Sequence, residues 1–304
     1  MTRKTAIENL RGVFVPAVTP FNRRGEVDLA LFRENVQRYT GIGLGGVVVA
    51  GSTGEAPFLT VRERLQLVET ARKIVRPPEL LIASTGLEST LLTLRLSREA
   101  VASGADILLV ITPNYYKARM DSAALQAYYR TVADGVRRPI VMYNIPQFTG
   151  IRMTPEVIGV LSHHPNIVGL KESSGDIGYL RKILRAVRPG FRVMTGSPMI
   201  FLDALRAGAA GGVLGQSGLV PHICVGIYDA VMNRQLKVAR DLQRRLTILT
   251  QNTAVPFGVS GVKLAVELCG YHGGSPRAPL LPLSPSQRRQ VAEAIRQACH
   301  GLDA

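Results

Sequence analysis

A chain of 304 residues that is 46% hydrophobic and only 19% charged can bury one large core, which excludes a wholly disordered polymer. Its net charge of +15 could attract nucleic acid or an anionic lipid surface. However, the doublets Arg23-Arg24, Arg137-Arg138, Arg244-Arg245 and Arg288-Arg289 stand in separate segments with no zinc-finger or RNP pattern, so attraction of small anions is the simpler reading and nucleic acid is not an expected partner.

The opening residues, MTRKTAIENLRGVFVP, are basic and carry no apolar signal core. No uninterrupted apolar run reaches the length of a membrane span. Cys224, Cys269 and Cys299 are widely spaced and include no CxxC pair, which fits a reducing compartment better than a disulfide framework or a zinc site. The expected setting is cytoplasmic, away from membranes.

Along the chain, short β-rich runs alternate with stretches of helical spacing. The predicted strands are Val13–Val18, Gly46–Ala50, Leu80–Ser84, Ile107–Thr112, Ile140–Asn144, Ile167–Lys171, Arg192–Thr195 and Gly212–Leu214. Among the intervening helices, 61–75 aligns Leu65, Val68, Ala71 and Val75, and 122–136 aligns Leu125, Tyr128, Tyr129 and Val132. Eight strands separated by helices, with no linker and no GxGxxG after the first strand, predict a closed (β/α)8 TIM barrel rather than an open doubly wound sheet. The eighth strand region is expected to end near Gly218. Residues 1–220 are assigned to the barrel, and 221–304 to a helical C-terminal extension packed on it as one unit, with helical patterns at 221–232, 236–250, 259–268 and 285–298.

In such a barrel the chemistry gathers where strands end. The strand ends carry GSTGE (51–55), TPNYYK (112–117), YNIP (143–146), Lys171, TGSP (195–198) and GQSG (215–218). Strand six is the odd one: Ile167, Val168, Gly169 and Leu170 run straight into Lys171. Desolvation disfavours an ammonium. A neutral amine attacks a carbonyl and forms an imine, an electron sink for making or breaking the adjacent carbon–carbon bond. That chemistry needs a proton shuttle, which Tyr143 and Tyr115 or Tyr116 can supply through the Ser52 hydroxyl. It also needs a seat for an anionic substrate, which the backbone N–H groups of a Gly-Ser-Thr-Gly turn can provide. Taken singly, GSTGE could be only a tight turn and each tyrosine a packed core residue. Their convergence at one end of one barrel favours the chemical reading. His163-His164 reads as a helix-end loop, and no HExxH-type spacing predicts a metal.

GSTGE, TPNYYK, YNIPQFTG and GLKES, in this order and spacing, resemble the N-acetylneuraminate lyase/dihydrodipicolinate synthase family of pyruvate-dependent class I aldolases, over about Gly12 to Ala298. The resemblance implies Lys171 as the Schiff-base lysine, Tyr143 as the proton-transfer tyrosine and Ser52 as the hydroxyl of its relay. Tyr115 would complete the relay from a neighbouring subunit of a homotetramer, a dimer of dimers. Thr53 and the Ser52 backbone would hold the pyruvate carboxylate. The implied substrate-binding set is Gly51, Thr53, Ser173, Gly196, Leu214 and Phe148. The partners would be pyruvate or another 2-keto acid and an aldehyde, with no cofactor beyond the covalent lysine imine.

Two departures bear on the branch of the family. Phe148 stands where true dihydrodipicolinate synthases have an arginine for the carboxylate of aspartate semialdehyde, and Ala56, Val61 and Arg64 replace residues that would hold the feedback inhibitor lysine. STGLEST (84–90), NYYKARMDSAAL (114–125), HPNIVGLKES (164–173) and GGSPRAPL (273–280) look most like the 4-hydroxy-2-oxoglutarate aldolase branch, although Thr53 and Phe148 depart from it. That aldolase is the first expectation. A dihydrodipicolinate synthase and a 2-keto-3-deoxy sugar acid aldolase or dehydratase are the alternatives within the family. A non-catalytic barrel with a binding or regulatory role is the alternative from another class; the presence of Lys171, Tyr143 and Ser52 argues against it.

Overall fold

The computed structural model describes residues 1–299; the last few residues of the expected extension, 300–304, lie outside the described residues. The strands are β1 (Gly12–Pro16), β2 (Gly46–Val49), β3 (Leu80–Ser84), β4 (Ile107–Ile111), β5 (Ile140–Asn144), β6 (Ile167–Glu172), β7 (Arg192–Thr195) and β8 (Gly211–Val213). They form a closed parallel barrel in chain order, with β8 paired back to β1. The expected TIM barrel is the observed fold. The first strand stops at Pro16 rather than Val18, and the eighth at Val213, because 215–218 turns into a 3-10 helix in which Ser217 donates from both its N–H and its hydroxyl to the Leu214 carbonyl.

The helices are α1 (Arg3–Glu8), α2 (Leu29–Tyr39), α3 (Val61–Arg72), α4 (Thr90–Ala102), α5 (Ser122–Asp134), α6 (Pro146–Thr149), α7 (Pro155–Ser162), α8 (Ile177–Ala186), α9 (Phe201–Ala207), α10 (Pro221–Met232), α11 (Leu236–Asn252), α12 (Ala254–Leu268) and α13 (Pro285–Cys299). Several begin at side-chain caps that sequence alone supplies. Asp28, Ser89, Asp121 and Asp176 accept from the first turns of α2, α4, α5 and α8, and Thr60 with Glu63 closes a capping box on α3. His163 caps the end of α7, as expected of a helix-end loop. Helix α10 packs against β1 and α9, and α11 packs against α10, α12 and α13.

Alternation along the strands divides the core. Phe14, Val48, Ile82, Leu109, Val141, Val168 and Met194 fill the barrel, together with Ala6 and Leu10 from the N-terminal segment. The opposite faces of the strands meet the helices in a second, larger cluster. An irregularity between β5 and β6 adds one residue to β6: Ile140 stands beside Ile167, but Val141 stands beside Gly169. The resulting register puts Tyr143 directly beside Lys171 at the C-terminal end of the barrel.

Candidate active site

Lys171 and Tyr143 are only 4% and 2% exposed. The lysine Nζ lies 4.2 Å from the centroid of the tyrosine ring, a position in which the ring face attracts a cation. The Tyr143 hydroxyl is 3.3 Å from Ser52 Oγ at the end of β2. An amine, a phenol and a hydroxyl from three strand ends therefore meet at one mouth. The cavity above them has a volume of about 390 Å³, and its wall includes Ser52, Thr53, Tyr143, Phe148, Lys171 and Ser173. Two surface grooves have similar volumes, about 460 Å³ at Arg244 and Glu293 and about 480 Å³ at Arg152 and Asp176, but neither contains Lys171 or the strand-end tyrosine.

The GSTGE turn runs between two non-glycine residues in the left-handed region, Ala50 (φ 54°) and Glu55 (φ 59°). Glu55 N–H donates to the Ser52 carbonyl and Ala56 N–H to that of Gly51, both at 3.1 Å, and the Thr19 hydroxyl donates to the Gly54 carbonyl at 2.7 Å. The Ser52 and Thr53 N–H groups have no acceptor among the described residues. Two free amides beside the amine suit a carboxylate, which accepts from backbone N–H groups.

Gly196 is required by close approach. A Cβ there would lie 1.8 Å from Ser173 Oγ and 2.9 Å from Lys171 Cε. Ser173 is 5% exposed, and its hydroxyl has no hydrogen-bond partner among the described residues. Its carbonyl accepts from Gln147 Nε2 at 2.7 Å. On the other side of β6 Glu172 is fully buried and accepts from Ser174 N–H at 2.7 Å; burial pushes its carboxyl above the usual range.

The structure thus brings Lys171, Tyr143, Ser52, Thr53, Ser173, Gly196 and Phe148 to one cavity. Three other expected residues stand elsewhere. Gly51 shapes the turn without entering the wall. Leu214 is buried, with its N–H donated to Phe14 and its carbonyl taken by Ser217, so its backbone is not free for substrate. Tyr115 is 77% exposed and outside the cavity of this chain; its N–H and that of Asn114 donate to Glu88. Sequence reasoning missed the opposite wall, which contains Gly258, Val259 and Val262 of α12, and the Gln147 contact. A helical apolar pattern gives no sign of which of its residues face a cavity.

Among the described residues no cluster of His, Cys, Asp and Glu side chains could hold a metal ion, and no helix is long and apolar enough to cross a membrane.

Comparison with known proteins decides the family. The sequence profile of the dihydrodipicolinate synthetase family matches residues 9–298. This chain belongs to that family. It is accordingly a carbon–carbon lyase of the class I aldolase type. A 4-hydroxy-tetrahydrodipicolinate synthase from Synechococcus sp. strain CC9311 is 36% identical over 284 residues, covering 92% of this chain and 93% of the relative. A protein of Emericella nidulans named as a probable mitochondrial 4-hydroxy-2-oxoglutarate aldolase is 32% identical over 292 residues, covering 94% of each. Among solved structures, a prophage protein of the dihydrodipicolinic acid synthase family from E. coli K12, in complex with pyruvate, superposes with a TM-score of 0.89 at 27% identity, covering 95% of this chain and 98% of that one. Further relatives of comparable identity carry the synthase name. The names therefore lean toward the synthase, rather than toward the hydroxyoxoglutarate aldolase to which the loop stretches pointed.

Proposed function

We propose that Lys171 forms an imine with C2 of pyruvate, and that the chain cleaves a short 4-hydroxy-2-oxo acid of the 4-hydroxy-2-oxoglutarate type to pyruvate and glyoxylate. The lysine amine adds to the C2 carbonyl, and water leaves. Tyr143 accepts the proton of the substrate's 4-hydroxyl as the C3–C4 bond breaks. The electron pair of that bond moves toward the imine nitrogen to give an enamine, and the aldehyde departs. Reprotonation at C3 and hydrolysis of the imine release pyruvate and regenerate the amine. The Ser52 hydroxyl, within reach of Tyr143, passes the proton on. Pyruvate in the complex of the E. coli relative supports the donor half of this reading.

The observation that carries the choice of acceptor is Phe148. It stands in the cavity wall, 69% exposed, where a distal carboxylate would otherwise meet an arginine. Lys171 is the one charged residue in that wall among the described residues. In aspartate semialdehyde the carboxylate is held away from the reacting carbon by a methylene and the α-carbon, so it reaches the rim. In glyoxylate the carboxylate is bonded to the reacting carbon, so it stays deep, near the unpartnered Ser173 hydroxyl. The test compares kcat/KM for cleavage of 4-hydroxy-2-oxoglutarate with kcat/KM for condensation of pyruvate with aspartate semialdehyde. Faster cleavage supports the reading.

The second reading, 4-hydroxy-tetrahydrodipicolinate synthase, is favoured by the names of most relatives compared. It uses the same imine and differs only in the acceptor. On either reading the relay is completed by Tyr115 of a neighbouring copy in a homotetramer, which the 77% exposure of this tyrosine supports.

A further inference from the structure

We infer that Lys263, far from the reacting atoms in sequence, is a positioning residue that holds the pyruvate seat in its working shape. Lys263 lies on α12 and is 1% exposed. Its Nζ donates to Glu55 Oε1 at 2.7 Å, to the Thr19 carbonyl at 2.9 Å and to the Ser275 carbonyl at 2.8 Å. An ammonium has three N–H donors, and all three are used. Glu55, 2% exposed, accepts a further bond at Oε2 from the Arg277 N–H at 2.8 Å. A buried ion pair survives desolvation only with such complete hydrogen bonding. The ring of Phe21 lies 4.5 Å from Nζ and 4.3 Å from the Arg277 guanidinium carbon.

What this cluster grips is the GSTGE turn. Glu55 is the last residue of the turn and sits in the left-handed region, a conformation that a non-glycine residue holds at a cost. Thr19, whose carbonyl accepts from Lys263, donates its own hydroxyl to Gly54 at 2.7 Å. Lys263 therefore holds the turn through two adjacent residues. The same turn carries the free Ser52 and Thr53 N–H groups, and both residues stand in the cavity wall. Burial pushes the Lys263 ammonium below its usual range, against the pull of Glu55, so the pair is not there for cheap stability. No atom of Lys263 or Glu55 lies in the cavity wall, so an effect on substrate must pass through the turn. Gly273 accommodates the arrangement: a Cβ there would lie 2.0 Å from the Lys263 carbonyl.

The inference rests on the pyruvate imine but not on the choice of acceptor. The experiment is borohydride trapping of the imine as a function of pyruvate concentration, in the full chain, with wild type, K263M and E55Q/K263M. The double variant removes both charges, so it leaves no unpaired buried ion if K263M alone fails to fold. Displacing the two amides from a carboxylate should raise the pyruvate half-saturation about tenfold, because hydrogen bonds to a charged group carry energies of that order. The limiting trapping rate should stay within about threefold, because Lys171 and Tyr143, held by the β5–β6 pairing and not by the turn, keep their places. A purely structural role would lower the melting temperature and leave the half-saturation of the folded protein unchanged. That result, an equal fall in the limiting rate, or failure of both variants to fold would overturn the assignment. Absence of trapping in wild type would instead remove the imine reading itself.

Discussion

Tyr143 and Lys171 are cross-strand neighbours in the β5–β6 ladder, with the lysine nitrogen 4.2 Å from the centre of the tyrosine ring. Backbone pairing therefore fixes the distance between the amine and the phenol, rather than any loop. A single residue added to β6 between Ile167 and Gly169 sets that register. One residue more or less would send Lys171 to the other face of the strand.

The first prediction concerns the amine. Borohydride reduction in the presence of pyruvate should add mass to the peptide that carries Lys171. In K171R the added mass should disappear, because a guanidinium stays protonated and cannot attack a carbonyl. Modification of Lys117 or Lys182 in place of Lys171 would contradict the assignment.

Removing the Tyr143 hydroxyl should slow turnover and spare binding. A positioned proton-transfer group is worth about 10²–10⁴-fold in rate, so Y143F should lose that much in kcat. Its pyruvate half-saturation should change little, since the Ser52 and Thr53 amides remain. Turnover at the wild-type rate would exclude Tyr143 from proton transfer.

Gly196 offers a steric test. The Cβ of G196A would lie 1.8 Å from Ser173 Oγ and 2.9 Å from Lys171 Cε, so the lysine side chain must move. A misplacement of about 1 Å at a reacting group can cost about 10²-fold. G196A should fold, since β7 keeps its pairing, but trap pyruvate far more slowly. An unchanged trapping rate would show that the lysine tolerates the displacement.

Stability should fall in acid through Glu63. Arg277 holds its carboxylate through two hydrogen bonds, Nη2 to Oε1 at 2.5 Å and Nη1 to Oε2 at 3.0 Å, and shifts its pKa from 4.5 to about 2. A depressed carboxylate contributes stability above its unfolded pKa and loses it as pH falls through the folded one. The wild-type melting temperature should therefore drop between pH 4.5 and about 2. E63Q, which keeps the capping-box chemistry, should show a shallower drop over that window. Parallel curves for the two proteins would remove Glu63 as a cause.

The barrel was legible because its signals are local. Gly46–Val49 and Ile140–Asn144 are runs of apolar or β-prone residues, and the helical spacing of Leu65, Val68 and Ala71 and of Leu125, Tyr129 and Val132 marks helices between the strands. Lys171 was legible because a lysine in an apolar strand is anomalous. Lys263 carries the same anomaly, between Val262 and Leu264, but it lies on a helix, where a lysine is ordinarily read as solvated. Its partner Glu55 is 208 residues away, and no periodicity links them. Tyr115 could be singled out by its motif, yet the role proposed for it needs a second chain, which a single sequence does not place. Leu214 entered only through the family resemblance, and the 3-10 turn that follows β8, which uses its carbonyl, has no signature in the sequence around it.

The last prediction separates the two acceptors. Aspartate semialdehyde needs a partner for a carboxylate at the rim, and Phe148 offers only an aromatic face there. A hydrogen bond to a charged group is worth about 1.5–3 kcal/mol, which is roughly one to two powers of ten in kcat/KM. F148R should therefore raise condensation with aspartate semialdehyde by about that factor. It should alter cleavage of 4-hydroxy-2-oxoglutarate much less, because on the proposed reading that carboxylate is bonded to the reacting carbon and stays with it. Phe148 is 69% exposed on the short helix α6, so an arginine can be accommodated without repacking the core. The measurement is kcat/KM for both reactions in both proteins. Efficient condensation by the wild type, unimproved by F148R, would move the acceptor assignment to the synthase and leave the Lys171 imine in place.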